Sequence, residues 1–202
     1  TEIIVTETIF NTWIIMGVLI LFAVIVRVKL TSFKERPSGF QNIIELIVES
    51  MNNFVISTMG EKYSYFGNWF FGVFVFVLAA NFSGLFGLRP PTASLETTLA
   101  LSLISFVLIH FMGILKGKLG YFKSYFEPVP LFFPINLMGE IATPISLSFR
   151  MFGNLLGGLI IMAMVYFFFP TILKFGIPAV LHVYFDVFSG GLQAFIFTIL
   201  SM

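Results

Sequence analysis

The feature that most limits how this chain can fold is an apolar stretch from Pro128 to Leu173. Its only ionisable side chains are Glu140, Arg150 and the phenol of Tyr166. No polar turn interrupts the stretch, so it predicts one helix over about residues 135–168 rather than two short spans. At ~1.5 Å per residue this helix would be roughly 50 Å long, whereas the hydrocarbon core of a bilayer is about 30 Å thick. The helix is therefore expected to tilt steeply or to kink.

The overall composition points to a bilayer as the main solvent. Hydrophobic residues make up 58% of the 202 residues and charged residues 10%, whereas soluble domains average about 25% charged. The net charge of +1 does not favour a polyanionic partner, so nucleic acid is not expected. The chain has no cysteine, which excludes disulfides and thiolate metal sites. No motif for a cofactor or for a metal is recognisable.

Four further segments have about the length that crosses a membrane: 9–28, 68–88, 97–115 and 179–202. The last of them carries a stripe of polar residues. With the long helix they predict an all-α membrane protein of about five membrane-embedded helices. The last two helices are expected to form a steeply tilted hairpin that turns between Pro170 and Pro178, where Lys174 lies. No repeat or soluble domain is recognisable, so residues 1–202 are predicted to form a single membrane domain.

Residues 37–58 predict a sixth helix of a different kind. Apolar side chains recur at helical spacing, and glutamine, glutamate and asparagine residues fall between them. Such a helix is too polar to span and is expected to lie at the cytoplasmic interface. A peripheral role in packing is favoured for it over any role in catalysis.

The basic residues predict the orientation of the spans. One cluster follows the first span and another follows the third: Arg27, Lys29, Lys34 and Arg36, and Lys116, Lys118 and Lys123. Because positively charged loops stay in the cytoplasm, the N-terminus is predicted outside and the C-terminus in the cytoplasm. The loop at Arg89-Pro90-Pro91 would then lie outside.

Arg150 is the strongest candidate for a functional residue. A charge at the bilayer centre costs about 2.5–3.5 kcal/mol on insertion scales, and arginine cannot shed its proton to avoid that cost. Arg150 is also too far from either helix end to snorkel easily. It therefore requires an anionic partner or water. The alternative to a functional role is a structural salt bridge to Glu140 or Asp186 within the chain.

Other polar residues could line a path beside Arg150. Asn154 lies one helical turn further on, and the last helix carries Asp186, Ser189 and Gln193. Asp186 and Gln193 are seven residues apart and are expected on one face. Such stripes in lipid face a partner or a water-filled cavity, although Gln193 could instead serve as an interhelical hydrogen-bonding residue.

Three more ionisable residues have weaker assignments. Glu140 lies ten residues before Arg150, about 15 Å along the helix axis, on the expected cytoplasmic side. It and Asp186 could mark opposite sides of the membrane, although Glu140 could equally be an acid at a helix start. His182, together with Ser189, is assigned to an outer vestibule, whereas His110 is expected to be a packed or hydrogen-bonded residue.

Three strings carry a resemblance to a known family. The segments PISLSFRMFGNLLGG, LQAFIFTILSM and NFSGLFGLRPPTASLETTLALSL resemble subunit a of F-type ATP synthases. The resemblance implies a non-catalytic stator subunit that presses against a ring of c subunits and offers two offset half-channels for H⁺, with Na⁺ also open. It implies the subunit b stalk, the rest of the F0F1 complex and lipid as partners, in the plasma membrane of a bacterium.

The resemblance also assigns individual residues. Arg150 matches the arginine that faces the ion-carrying carboxylate of the ring, and Asn154 and Gln193 match polar residues beside it. Asp186 matches a position where some members carry His and others an acid, and Glu140 matches a position that is often acidic. The chain departs from the family at Leu159 and Asn136, where many members carry an acid. Asp186 and Glu140 are expected to compensate. A secondary transporter, which usually shows internal repeats, and a respiratory-complex membrane subunit are the alternative hypotheses.

Overall fold

The computed structural model describes residues 6–30, 39–124, 130–168, 170 and 176–202, with no side-chain description for 116–124 and Pro130. Its helices are α1 (Glu7–Leu30), α2 (Phe40–Met59), α3 (Gly67–Phe82), α4 (Leu95–Ser124), α5 (Phe133–Phe168) and α6 (Ile177–Ser201). Short 3₁₀ turns flank them at Glu61–Phe66, Ser83–Phe86, Pro91–Ala93 and Pro130–Phe132. No strand occurs in the described ranges, so the predicted all-α class is confirmed.

Five stretches of helix are long and apolar enough to cross a membrane, as the sequence predicted. They are Glu7–Leu30, Glu61–Phe86, Leu95–Leu115, Phe133–Phe168 and Ile177–Ser201. Large apolar side chains point outward from them, and Phe167 and Phe168 of α5 are 81% and 75% exposed. Buried positions instead include many small polar residues, among them Thr98, Ser102 and Ser148. This arrangement is typical of helices packed in lipid, where small polar residues allow close approach.

Helix α2 stands apart from the five candidate spans. Within it, Val55 is the residue that is fully buried, while Gln41 donates to Glu45 at 2.7 Å one turn on. It ends at Gly60, whose φ of 88° lies in the left-handed region that favours glycine. The Gly60 N–H closes the helix by donating to the carbonyl of Ile56 at 2.8 Å. The placement of α2 at the membrane interface stays a prediction.

The chain divides into two compact units. The first comprises residues 1–91 and 190–200, and the second comprises residues 92–189, with Met202 and Ser201 assigned to the first and second respectively. The predicted single membrane domain over 1–202 therefore stays a prediction, and each unit is described by itself.

In the first unit two buried asparagines bridge helices through backbone carbonyls. Asn11 of α1 donates to the carbonyl of Arg89 at 3.0 Å, and Asn81 of α3 donates to that of Gly190 at 2.8 Å. The rings of Phe54 and Phe195 add a contact at 5.3 Å between centroids. An amide side chain that crosses between elements satisfies polar groups that lipid could not.

In the second unit α4 and α5 pack along one another, and α5 also contacts the first part of α6. Pro144 lies inside α5, which continues through it from Phe133 to Phe168. Gly158 is buried, and a Cβ added there would lie 3.3 Å from Cβ, Cγ and Cδ1 of Phe185. A side chain at this position would separate α5 from α6.

One expectation about α6, the common face of Asp186 and Gln193, stays a prediction. Residues Val183–Ser189 form a π-helix between two α-helical segments, Ile177–His182 and Gly190–Ser201. The expectation that Asp186 and Gln193 share one face assumed 3.6 residues per turn throughout. A π-helix closes i to i+5 hydrogen bonds and so has more residues per turn. The sequence spacing of seven therefore does not establish a common face here.

Several predicted features fall outside the described residues. They are the start of the amphipathic helix at residues 37 and 38, the basic residues Lys34 and Arg36, the side chains of Lys116, Lys118 and Lys123, and most of the predicted turn from Pro170 to Pro178, including Lys174. The orientation of the termini and the steep tilt of the last two helices stay predictions.

Candidate functional site

Arg150 lies close to the middle of α5 with an exposed side chain. The neighbouring turns bury Leu147 and Met151 against the rest of the protein, so the helix turns its apolar face inward and leaves the arginine outward. Within the described residues Arg150 makes no salt bridge, and the ion pairs there join other residues. The structural salt bridge to Glu140 or Asp186 is not formed.

Asn154 and Ser189 join α5 to α6 one turn beyond Arg150. The amide nitrogen of Asn154 donates to the hydroxyl of Ser189 at 2.5 Å, and both residues are half-buried. Ser189 is the last residue of the π-helical segment. Two members of the predicted polar stripe, one from each helix, are therefore in direct contact.

A second cluster lies further along α5, at Tyr166, and on α6 at His182 and Asp186. Nδ1 of His182 lies 2.6 Å from Oδ2 of Asp186, and the Tyr166 hydroxyl lies 3.4 Å from Nε2 of the same ring. Because a carboxylate only accepts, Nδ1–H donates to Asp186, and in the neutral imidazole Nε2 then accepts from the tyrosine. The side chain of Asp186 is 13% exposed. The cluster is a hydrogen-bonded chain that ends on a carboxylate.

The spacing of this cluster follows from helix geometry. His182 and Asp186 are four residues apart, which places them one above the other on α6. The close packing of Phe185 on Gly158 holds this part of α6 against α5. Leu159, where an acid was expected, is therefore next to the residue that sets the distance between the helices.

At the other end of α5, Glu140 pairs with His110 of α4. Nε2 of His110 lies 3.6 Å from Oε2 of Glu140, with side chains 22% and 41% exposed. Nδ1 of the same imidazole lies 2.9 Å from the carbonyl oxygen of Phe106, to which it donates. The bond to Phe106 agrees with the expectation of a packed or hydrogen-bonded His110, and the ring also faces a carboxylate.

Gln193 lies in the other unit and is almost fully buried, at 4% exposure. Its amide nitrogen has no hydrogen-bond partner within the described part of the chain. Buried amide groups are usually satisfied by protein or by water. The described residues also contain no group of three or more His, Cys, Asp or Glu side chains able to hold a metal ion.

Sequence reasoning missed the place of Tyr166 in one cluster and the pairing of His110 with Glu140 in the other. Tyr166 was noted only as an ionisable group, although its hydroxyl faces His182. The spacing of His182 and Asp186 by four residues was a usable signal for their contact. No sequence signal connects His110 with Glu140, since the two residues are 30 positions apart on different helices.

Comparisons with known proteins identify the family of this chain. A family model described as ATP synthase A chain matches residues 9–202. The chain is 36% identical to a sodium-ion-specific ATP synthase subunit a of Propionigenium modestum, over 98% of this chain and 72% of that protein. It is 38% identical to ATP synthase subunit a of Nitrosospira multiformis, over 96% and 76%.

A further relative is matched over more of its own length. ATP synthase subunit a of Moorella thermoacetica is 33% identical over 97% of this chain and 87% of its own length. The match therefore includes α5 and α6, where the clusters around Arg150 lie. From the family model and these relatives, this membrane protein belongs to the ATP synthase A chain family, the ion-translocating membrane subunit of that complex.

Proposed function

We propose that this chain forms two offset half-channels that carry ions to and from a ring of c subunits. Passage of ions would drive the ring to rotate against this stator subunit, and rotation would be coupled to ATP synthesis in the F1 sector. Each elementary charge that crosses is worth about 2.3 kcal/mol per 100 mV, so several ions are needed for each ATP. This chain performs no covalent chemistry in the proposal.

The observation that carries the proposal is the exposed Arg150 without a carboxylate partner among the described residues. A permanent cation on an apolar helix requires an anion. If the chain does not provide one, an ion-binding carboxylate on a neighbouring subunit can. Arg150 would attract that carboxylate when it is unloaded and would block direct passage of ions between the half-channels.

The outer half-channel is assigned to the chain of Tyr166, His182 and Asp186. Its hydrogen bonds at 3.4 and 2.6 Å would hold a proton path that ends on Asp186. This carboxylate replaces the acid that is missing at Leu159. Asn154 and Ser189, bonded to each other, lie between this cluster and Arg150 on their helices and would guide the ion toward the ring.

The inner half-channel is assigned to Glu140. Glu140 precedes Arg150 by ten residues, about 15 Å along α5, on the side opposite to Tyr166. Its side chain is 41% exposed, so it would be open to solvent at the cytoplasmic side. Gln193 is proposed as a further residue of ion translocation, and its buried amide nitrogen, which has no described partner, would be satisfied by water.

The setting of the proposed function is a bacterial plasma membrane, with the N-terminus outside and the C-terminus in the cytoplasm. The partners are the c ring, the subunit b stalk and the remainder of the F0F1 complex. We assign H⁺ as the ion, since a chain of tyrosine, imidazole and carboxylate transfers protons readily. The relative from Propionigenium modestum is named as specific for sodium ion, so Na⁺ is the ion against which this assignment is tested.

The test replaces Arg150 with alanine in the assembled complex. We expect ATP synthesis driven by an ion gradient in membrane vesicles to fall to the background of uncoupled membranes, because no cation would face the ring carboxylate. Arg89→Ala is the matched control, since that arginine is also exposed but lies in the connection between α3 and α4. Unchanged synthesis in the Arg150→Ala complex would sink the proposal.

A further inference from the structure

His110 and Glu140 form a close pair, although the role proposed above for Glu140 does not require a histidine beside it. The two side chains come from α4 and α5 and meet at 3.6 Å. This separation is within ion-pair range and slightly longer than a hydrogen bond. Glu140 is 41% exposed and can adjust its rotamer, so the imidazole is within reach of the carboxyl group.

The hydrogen bond of His110 to the Phe106 carbonyl determines which ring nitrogen carries a hydrogen. It thereby also determines whether the nitrogen that faces Glu140 has a free lone pair. Nδ1 lies 2.9 Å from the carbonyl oxygen of Phe106, which can only accept, so Nδ1 carries a hydrogen. In a neutral imidazole Nε2 is then an acceptor. An acceptor nitrogen facing an ionised carboxylate would repel it, so the contact is favourable only when one proton lies on Nε2 or on Glu140.

The backbone carbonyl of Glu140 is a further polar group beside the pair. Pro144 has no N–H to donate to the carbonyl of Glu140, four residues earlier in α5. That carbonyl can therefore accept a hydrogen bond from water at the same level as the carboxyl group. On the opposite helix the ring of Phe106 lies 3.9 Å from that of His110 and limits its rotation.

Other charged groups on the elements packed here are further along the helices. Among residues with described side chains, α4 carries Glu96 at its start, and α5 carries Arg150 and Tyr166. Glu96 precedes His110 by 14 residues, roughly 21 Å along the axis. The 3₁₀ turn at Pro130–Phe132 has no titratable side chain. Lys116, Lys118 and Lys123 of α4 have side chains outside the described part.

We propose that His110 and Glu140 bind one shared proton and together form the proton-collecting site of the inner half-channel. The inference rests on the proposed function and deepens it, because it identifies the ion handled at this site as H⁺. In this proposal His110 holds the proton at Nε2 and exchanges it directly with Glu140. When the proton moves from Nε2 to Oε2, an imidazolium and a carboxylate become a neutral imidazole and a carboxylic acid, with no change in total charge.

The experiment measures ATP-driven proton pumping by the complex in inverted membrane vesicles, where the cytoplasmic side faces the bath. Two variants are compared with the unaltered complex between about pH 5 and 9. His110→Asn keeps a donor for the Phe106 carbonyl, and His110→Gln keeps an amide directed at Glu140, but neither exchanges a proton. ATP hydrolysis by detached F1 is measured at each pH, and the pumping rates are corrected for the pH dependence of that hydrolysis.

The expected result is a shift of the pH profile. A carboxyl group on its own ordinarily loses its proton near pH 4, whereas an imidazole ordinarily does so between about pH 5 and 8. Both variants should therefore reach half-maximal pumping at a bath pH at least about one unit lower than the unaltered complex. Glu96→Gln, which removes a carboxyl group at the other end of α4, should leave the profile unchanged.

The outcomes separate this inference from the proposed function. If Arg150→Ala abolishes pumping while both His110 variants keep the original pH profile, His110 has only a structural role and the shared-proton site is wrong. If either variant assembles poorly, the profile of the remaining complex, normalised to the amount of subunit a in the membranes, still decides the question. Survival of pumping in Arg150→Ala would overturn the proposed function itself.

Discussion

The two ends of α5 hold their ionisable side chains in different ways. At the Tyr166 end, His182 and Asp186 are 2.6 Å apart on one helix, and Asp186 is 13% exposed. At the Glu140 end, the partner comes from α4, the distance is 3.6 Å and the carboxylate is 41% exposed. Arg150 lies between them. The comparison shows a tight cluster of side chains at one end and a looser, more solvent-accessible pair at the other.

This difference has a structural cause. The Tyr166 end is held by direct packing of Phe185 on Gly158 and by the Asn154–Ser189 hydrogen bond. At the Glu140 end the ion pair with His110 is longer, at 3.6 Å, and depends on the register of α4 against α5. A rigid site should respond strongly to a single change, whereas a solvated site can use water in place of a lost group.

The largest effect is therefore expected at Asp186. Asp186→Asn removes the carboxylate that ends the chain of hydrogen bonds, and proton transfer groups typically contribute about 100-fold or more. We expect ion-driven ATP synthesis to fall about 100-fold, measured in energised vesicles. Glu140→Gln should have an effect about an order of magnitude smaller, because water reaches that site. Equal losses in the two variants would contradict the distinction between a tight and a loose end.

An intermediate effect is expected at Gly158. Gly158→Ala places a methyl group 3.3 Å from three atoms of Phe185, including its Cβ, so Phe185 must move by a few tenths of an ångström. Overpacking of this kind costs about 1–3 kcal/mol, and we expect lower thermal stability of the purified complex together with slower pumping. Gly157→Ala is the matched control, because a Cβ there meets nothing within 4 Å. If the two alanine variants behave alike, the close packing does not set the helix distance.

The smallest effect is expected for the Asn154–Ser189 hydrogen bond. Hydrogen bonds between membrane helices average about 0.6 kcal/mol in double-mutant cycles. We expect Asn154→Ala and Ser189→Ala to couple by about that amount in the thermal stability of the complex, measured singly and together. Strict additivity of the two changes would show that the 2.5 Å contact contributes nothing to stability, and the rigidity of this end would then depend on Gly158.

The sequence by itself determined the fold class and the most exceptional residue. In lipid every backbone polar group must be satisfied within the segment, so long apolar runs have to become helices; this is why five spans and the amphipathic α2 could be predicted. Arg150 could be identified because a cation that cannot deprotonate is costly in an apolar helix. Both inferences depend on local composition and need no knowledge of neighbouring helices.

Only the tertiary structure decided which side chains meet. The pairing of His110 with Glu140 and of Tyr166 with His182 depends on the register between helices, which no local spacing encodes. The π-helix at Val183–Ser189 likewise changed the phase that uniform helical spacing had implied for Asp186 and Gln193. Apolar helices can pack in many registers at similar cost, and the register realised here follows from small contacts such as Phe185 on Gly158.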